Sequence, residues 1–401
     1  MAFARWIFVA FSMVFTSAVA AERDWAALAT EDVEAAYAVA LEDHPGSADE
    51  RNPGFLSVAE NARADALAKA RRARSLVHYR QALLTFFGAF EDYHFTVSFP
   101  DEGNLPAQQW AGIVGVLDDE RMTVIAAHET LADLVGREIL GCDGHDPALL
   151  YRQRVKPYEA RPAIEATRRA RSSKVFLWRP GQFESRLETC TFDGPEGPEK
   201  RDLQWDFDPK EYTRLQRRAL RGNRPDTGVR QYQPGRWWIT ASNFDPSGAD
   251  EQAAIESMLE ELREKAAEIR AADAVVVDIR GNGGGSSSYG DQIVDAVWGE
   301  PYRRARRPAS RSYVEWRISP GNLAHMDTLG KLVVERNFPE EVVNMFLDVQ
   351  KGMIEAAERG ESMYRQLDDA EDAVQSRTDA VENPVEGRIF FLTNINCGSA
   401  C

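Results

Sequence analysis

Ser399 has surroundings that suit nucleophilic chemistry. It follows the apolar run 388–393, and the small residues Gly398 and Ala400 stand on either side of it. A serine on a sharp turn after a strand exposes its hydroxyl, and the adjacent backbone N–H groups can stabilise an oxyanion. The alternative for an isolated serine is a helix cap. The run 286–288, three consecutive serines, is a rival source of a nucleophile, although a loop or a helix cap suits it better.

A nucleophilic serine needs a base, because an alcohol is barely ionised near neutral pH, and histidine is the usual choice. His94 lies between Tyr93 and Phe95 at an expected helix-to-strand junction, where its ring could be held rigidly. Taken alone, His94 also fits a structural role. The remaining histidines have the surroundings of surface or capping residues: His44, His78, His128, His145 and His325.

The glycine-rich loop 281–285 follows the apolar run 274–279. Glycine lets backbone N–H groups approach a ligand closely, so such a loop can hold a phosphate or an oxyanion. The phosphate interpretation is weak, since Ser286 stands where a dinucleotide site has its third glycine and no Gly-Lys-Ser/Thr follows. A simple tight turn after a buried strand is the other alternative.

These residues require elements that position them, and the pattern at 236–300 is the clearest. It predicts a strand at 236–241, a helix at 253–271 and a buried strand at 274–279. Strand, helix and strand in that order form a βαβ unit, which favours a parallel sheet with helical cover. A further strand at 388–393 leads to Ser399.

The rest of the chain divides into segments of different character. One buried helical face is expected to end near Glu91, and the aromatic and β-branched run 93–99 predicts a strand after it. A hairpin is expected around 118–120, and Asp146 before Pro147 is typical of a helix start. The helical face comprises Leu76, Tyr79, Leu83, Phe86 and Phe90. The hairpin strands and the third strand are predicted at 113–117, 122–126 and 137–142, and a mostly helical excursion at 321–377.

Composition limits the class of protein. With 401 residues and 43% hydrophobic residues, the chain can form two or three globular domains at about 150 residues each. The net charge of −16 argues against nucleic acid or an anionic membrane surface as a general partner.

The N-terminus and the cysteines indicate an exported protein. The first twenty residues have the pattern of a signal peptide cleaved after Ala20: the charged Arg5, the apolar run 6–15 and then Ala18-Val19-Ala20. An uncleaved membrane anchor is disfavoured, because the apolar run is too short to span a bilayer. Such a protein is periplasmic or secreted, where disulfides are permitted. The four cysteines allow three full pairings, of which Cys142–Cys190 and Cys397–Cys401 are the possible pairs considered. Metal binding is discounted because no Cys-x-x-Cys or histidine cluster accompanies them.

Together these motifs resemble the tail-specific, or C-terminal processing, protease family and its tricorn-core relatives, serine peptidase family forty-one. The run 275–285, Val-Val-Val-Asp-Ile-Arg-Gly-Asn-Gly-Gly-Gly, is similar to the family's "DLRGNGG" block. The segment 389–401 is similar to its nucleophile strand, and Asp92-Tyr93-His94 to its "D-x-H" site. The stretch 134–144 looks like the end of a PDZ domain.

The resemblance implies a mixed α/β fold, with α+β elements and a mainly parallel peptidase core containing the βαβ unit. The expected organisation is a signal peptide (1–20), an N-terminal helical segment with the histidine motif (21–106), a PDZ-like module (107–200), a linker (201–235) and a protease core (236–401) that is incomplete at its C-terminus.

The resemblance also implies the roles of individual residues. Ser399 would be the nucleophile, His94 its base, and the N–H groups of Gly283 or Gly284, with that of Ala400, the oxyanion hole. The expected activity is hydrolysis of polypeptides by a serine endopeptidase without a metal or organic cofactor. Family members carry the acid that orients the histidine downstream of the nucleophile, and here only two residues follow Ser399. The alternative is therefore a noncatalytic or inactive peptidase-like protein that binds polypeptides.

Overall fold

The structure is a computed structural model that describes residues 23–99, 105–159, 164–221, 225–306, 313–338, 340–367, 381–395, 397–399 and 401. The expected signal peptide and Ala400 lie outside the described residues. Within the described ranges, no helix combines the length and the apolar character needed to cross a membrane. The fold is mixed, with helices and several separate sheets, which confirms the expected class at that level.

The N-terminal segment is a three-helix unit. Small alanine side chains from the first two helices pack against Leu83 and Phe86 of the third, which confirms the expected buried face. The third helix ends at Gly88, close to the predicted end. The helices are α1 (Trp25–Asp43), α2 (Phe55–Ala70) and α3 (Leu76–Gly88).

The predicted strand at 93–99 is wrong. The alternating side chains Phe95, Val97 and Phe99 instead pack against the helical core, and the backbone there joins no sheet. An apolar face with a period of two thus covers a helical surface, since it pairs with no strand among the described residues.

The middle of the chain forms a five-stranded antiparallel sheet in the order β2-β3-β4-β6-β7. The expected hairpin is confirmed: Asp118 pairs with Arg121, and Asp119 takes the positive φ of 51° that so short a turn needs. Asp146 accepts a hydrogen bond from the backbone N–H of Leu149, which confirms the predicted cap. The strands are β1 (Gln109–Trp110), β2 (Ile113–Asp118), β3 (Arg121–Ala127), β4 (Glu138–Cys142), β5 (Leu177–Trp178), β6 (Thr189–Phe192) and β7 (Glu199–Asp202). The helices beside them are α4 (Pro147–Arg154) and α5 (Glu165–Arg171).

The segment 201–235 is not the linker that was expected there. It contains helix α6 (Pro209–Arg221) and strand β8 (Gly228–Gln233). Tyr212 of α6 is buried against the antiparallel sheet, while basic residues occupy the exposed side of the helix. The charges thus belong to the solvent face of an amphipathic helix.

The last sheet has the order β13-β10-β9-β8 and carries the candidate site. Its three strands β9, β10 and β13 are parallel, which confirms the expected βαβ unit and mainly parallel sheet, and β8 joins the edge antiparallel. Ile239, Val275 and Val277 face a core built with the covering helices. The elements are β9 (Arg236–Thr240), α7 (Ala249–Glu264), α8 (Ala266–Arg270), β10 (Ala274–Asp278), α9 (Ser287–Trp298) and β13 (Arg388–Leu392).

Between α9 and β13 the chain makes a largely helical excursion. Its two long helices confirm the prediction for 321–377 in part, because that range also contains strand β12 (Met363–Leu367), which pairs with β11 (Tyr313–Arg317), and 368–377 lie outside the described residues. The elements are α10 (Glu300–Arg306), β11 (Tyr313–Arg317), α11 (Pro320–Glu335), α12 (Glu340–Glu358) and β12 (Met363–Leu367).

Candidate active site

The candidate site begins where β10 ends, at a buried carboxylate. Asp278 is fully buried, and the Arg280 guanidinium contacts it through Nε at 2.9 Å and Nη2 at 2.6 Å. The Trp238 indole N–H donates a further hydrogen bond at 3.2 Å. Burial alone would raise the pKa of the Asp278 carboxyl, but the hydrogen bonds from Arg280 and Trp238 outweigh it and hold the pKa below its usual value. Asp278 therefore stays ionised and fixes the start of the glycine loop.

Asn282 shapes the glycine loop from within. Its side chain is fully buried, its amide N–H donates to the Ala241 carbonyl at 2.9 Å, and its Oδ1 accepts from the Gly284 N–H at 2.9 Å. The Gly284 N–H is already bonded in this way, so of the two predicted donors for an oxyanion hole it is the less available in this conformation. Gly283 remains the suitable donor: it is exposed, and a Cβ built on it would meet no atom within 4 Å.

The glycine loop is joined to the segment that follows β13. In the parallel register Asp278 lies beside Leu392, so the loops that follow the two strands emerge at the same edge of the sheet. The Asn394 side-chain oxygen accepts from the Gly281 N–H at 3.1 Å, and the Leu392 carbonyl accepts from the Ile279 N–H at 2.9 Å. These bonds connect two segments that are more than a hundred residues apart in sequence.

Ser399 lies on a tight, cross-linked turn just beyond this connection. It is exposed and has a φ of 49°, in the left-handed region that side chains other than glycine rarely adopt. Cys397 and Cys401 are joined by a disulfide that encloses it, and the Cys401 N–H donates to the Gly398 carbonyl at 3.0 Å. A nonglycine residue in this conformation costs on the order of 1–3 kcal/mol and persists where its surroundings enforce it. The disulfide and the turn hydrogen bond provide that enforcement.

The other disulfide, Cys142–Cys190, lies in the antiparallel sheet and joins residues that are paired in register between β4 and β6.

His94 lies on the segment after α3, beside a carboxylate that sequence reasoning did not assign. Its Nδ1 is 3.5 Å from Asp92 Oδ1, which also accepts the His94 backbone N–H at 2.8 Å. Asp92 Oδ2 lies 3.8 Å from Nε2 of His44. Burial lowers the pKa of the His44 imidazole, and the Asp92 carboxylate opposes that shift. The spacing Asp92-Tyr93-His94 was the signal that could have identified Asp92 as the partner of the histidine.

A cavity of about 280 Å³ joins the histidine segment to the serine turn. Tyr93 lines it on one side, and Cys397 and Gly398 line it on the other. The Tyr93 and Thr167 hydroxyls are 3.0 Å apart, which anchors the histidine segment to α5. The neighbours of His94 and of Ser399 thus border one space. No hydrogen bond between the two side chains is present in the described part of the chain, and the His94 side chain is 93% exposed.

In the run of three serines, Ser286 and Ser288 contact each other at the start of helix α9. Ser286 caps helix α9, where its Oγ accepts the Ser288 N–H at 3.4 Å, so the helix-cap interpretation of this serine is confirmed. Among the residues that the structure describes, no group of three or more His, Cys, Asp or Glu side chains is arranged to hold a metal ion.

A comparison with models of known protein families found no match to this chain, and a comparison with curated proteins found none either.

Proposed function

We propose that the protein is an exported serine endopeptidase that hydrolyses polypeptides through an acyl-enzyme on Ser399. The observation that carries the proposal is the shared cavity, whose walls come from the residue before His94 and from the two residues before Ser399. The glycine loop, hydrogen-bonded to the same serine-bearing segment, supports it. The motif resemblance to tail-specific proteases points to the same residues.

In the proposed reaction, His94 takes the proton of the Ser399 hydroxyl as its oxygen attacks the carbonyl carbon of the peptide bond. The Gly283 N–H, with that of Ala400, would stabilise the oxyanion of the tetrahedral intermediate. The intermediate collapses when the C–N bond breaks and the protonated His94 gives its proton to the leaving amine. Water, deprotonated by His94, then attacks the acyl ester; the bond between the acyl carbon and the Ser399 oxygen breaks, and the protonated His94 returns its proton to that oxygen, which frees Ser399 and the second product.

Asp92 supplies the orienting acid in this proposal. With its carboxylate 3.5 Å from Nδ1, it favours the tautomer that leaves Nε2 free to accept the serine proton. The exposed ring must turn toward Ser399, so substrate binding is expected to complete the pair.

Export and a PDZ-like module belong to the same proposal. The two disulfides support an oxidising compartment, either periplasmic or extracellular. The five-stranded antiparallel sheet supports a small β-rich module within 107–200, and its PDZ-like character rests on the resemblance.

A noncatalytic protein that binds polypeptides is the second candidate, and the exposure of His94 is the observation that favours it. A serine-directed fluorophosphonate separates the two functions. We expect stoichiometric labelling that is mapped to Ser399, abolished in Ser399→Ala and strongly slowed in His94→Ala. Ser287→Ala, at the exposed first residue of α9, is the matched control and should label normally.

Absence of labelling in a folded protein, or labelling and peptide hydrolysis that survive in Ser399→Ala, would overturn the peptidase proposal. Binding of polypeptides without hydrolysis would then favour the noncatalytic function.

A further inference from the structure

Arg171 is the one charged residue among the described residues that line the cavity beside Ser399. Apart from Arg171, the described residues that line it are uncharged: Tyr93, Ile164, Ala166, Thr167, Ala170, Gln216, Leu220, Ile395, Cys397 and Gly398. Cys397 is held in a disulfide, so it presents no thiolate. The one charge among the described lining residues is therefore positive, although the chain as a whole has a charge of −16.

The contacts of Arg171 leave this charge only partly neutralised. Its Nε is 3.4 Å from Glu159 Oε2, and the ammonium of Lys174 contacts Oε1 of the same carboxylate. Two cations thus share one carboxylate. Within the described residues this is the only ion pair of Arg171, and its shortest contact is made by Nε. The side chain is 44% exposed, so a ligand in the cavity can reach the guanidinium.

Hydrogen bonds of Gln216 fix the part of the cavity wall that carries Arg171. Nε2 of Gln216 on α6 lies within hydrogen-bond distance, 2.8–2.9 Å, of the Ala170 carbonyl, Ser173 Oγ and Tyr212 OH, and its two N–H bonds can donate to two of these at a time. The contacts with Ala170 and Ser173 fasten α6 to the end of α5, where Arg171 stands, whereas Tyr212 belongs to α6 itself. A guanidinium on a fixed helix end matches the planar geometry of a carboxylate and can bind it through two parallel hydrogen bonds.

From this geometry we propose that Arg171 is a specificity-determining residue that binds a carboxylate of the polypeptide substrate close to the bond that Ser399 attacks. The inference rests on the proposed peptidase function and adds the substrate class to it: polypeptides that present a carboxylate in this cavity. The carboxylate belongs either to an acidic side chain or to the end of the substrate chain, and the two sources are distinguished by the test.

The test uses a set of fluorogenic peptides that differ at one position at a time on either side of the cleaved bond. Each position carries Glu, Gln or Lys, and each peptide has an amidated C-terminus. A second pair differs only in having a free or an amidated C-terminus. kcat/KM is measured for the wild type and for Arg171→Gln, Arg171→Lys and Arg169→Gln. Arg169 is the matched control, because it is on the same helix and pairs with Asp118 but does not line the cavity.

We expect the wild type to prefer the carboxylate over its neutral counterpart by about tenfold, the low end for a charge-assisted hydrogen bond because the arginine is partly exposed. Arg171→Gln should remove this preference mainly through KM, Arg171→Lys should retain part of it, and Arg169→Gln should leave it unchanged. A preference for Glu identifies an acidic side chain, and a preference for the free C-terminus identifies the chain end.

No carboxylate preference in the wild type, or a preference that survives in Arg171→Gln, would overturn the inference. Melting temperatures of the variants show that they are folded, and Glu159 keeps Lys174 as a partner in each of them. Failure of the proposed function itself is a different result: hydrolysis or fluorophosphonate labelling that persists in Ser399→Ala.

Discussion

Replacing Asn282 with alanine tests whether one buried amide holds the glycine loop. The wild-type side chain is fully buried and makes two hydrogen bonds at 2.9 Å, one to the Ala241 carbonyl and one from the Gly284 N–H. Alanine leaves both backbone groups without these partners. Gly284 is itself buried, so its N–H cannot easily turn to water instead.

The magnitude follows from these two contacts. A typical intramolecular hydrogen bond contributes about 0.5–1.5 kcal/mol net, and a buried group that loses its partner costs about 1–3 kcal/mol. Two backbone groups are affected, and partial relaxation of the loop recovers some of the loss. We therefore expect Asn282→Ala to lower the free energy of unfolding by about 2–4 kcal/mol.

Urea unfolding followed by tryptophan fluorescence measures the change, with Asn52→Ala as the control because Asn52 is exposed. The control should alter stability by less than about 0.5 kcal/mol. The same variant should also react more slowly with a fluorophosphonate, since the loop that carries Gly283 loses its anchor. A loss of stability equal to that of the control would refute the assignment of Asn282 as the residue that holds the loop.

Three further predictions concern other parts of the chain. Asp278→Asn should destabilise the protein at pH 7 by about 1.5–3 kcal/mol, as expected for hydrogen bonds to a charged group. Because the folded-state pKa of Asp278 is depressed, its contribution is present above the ordinary carboxyl pKa of about 4 and is lost as the pH falls through the lower folded value, so unfolding curves of variant and wild type should converge in acid. Replacing Cys142 and Cys190 together with serine should cost about 2–4 kcal/mol in urea unfolding without reductant, since this bond spans 48 residues, and the difference should vanish when the wild type is reduced. Asp92→Asn should lower kcat about ten- to a hundredfold with little change in KM, less than the roughly 10⁴-fold loss for a buried triad acid because Asp92 is partly exposed, whereas an unchanged kcat would show that Asp92 does not orient the base.

Much of the fold could be predicted because its signals are local. The apolar run of β10 followed by glycines identifies a buried strand and its turn, and the three acidic residues 118–120 between apolar runs identify the hairpin of β2 and β3. Each of these patterns lies within one short stretch of sequence, 274–285 for the strand and its glycines and 113–126 for the hairpin. Helix α6 could not be recognised in the same way, because most of its residues are charged or polar. Its apolar side consists of Tyr212 and Leu215, and only the structure shows the sheet against which they pack.

The segment after α3 shows a second kind of limit. Its alternation of Phe95, Val97 and Phe99 is a real strand-like pattern, but a strand also needs a partner, and the partner surface here is helical. The sequence likewise does not show which backbone groups the buried side-chain amide of Asn282 contacts. Sequence reasoning could propose Gly284 as an oxyanion donor, but only the structure places Asn282 Oδ1 on its N–H.

The candidate site also combines parts that local sequence patterns predict with parts that depend on tertiary packing. The serine turn and the glycine loop meet because β13 and β10 are parallel neighbours in register, so the segments that follow them must emerge together. The histidine segment reaches the same cavity by another route: it follows a helix outside the sheet and is fixed to α5 through the Tyr93–Thr167 contact. Docking between elements far apart in sequence decides whether His94 can reach Ser399, and no periodicity or spacing encodes it. The serine turn and the glycine loop, which follow strands of one sheet, are therefore predictable from sequence motifs. The position of the histidine segment depends on packing between distant elements and has to be established from contacts in the structure.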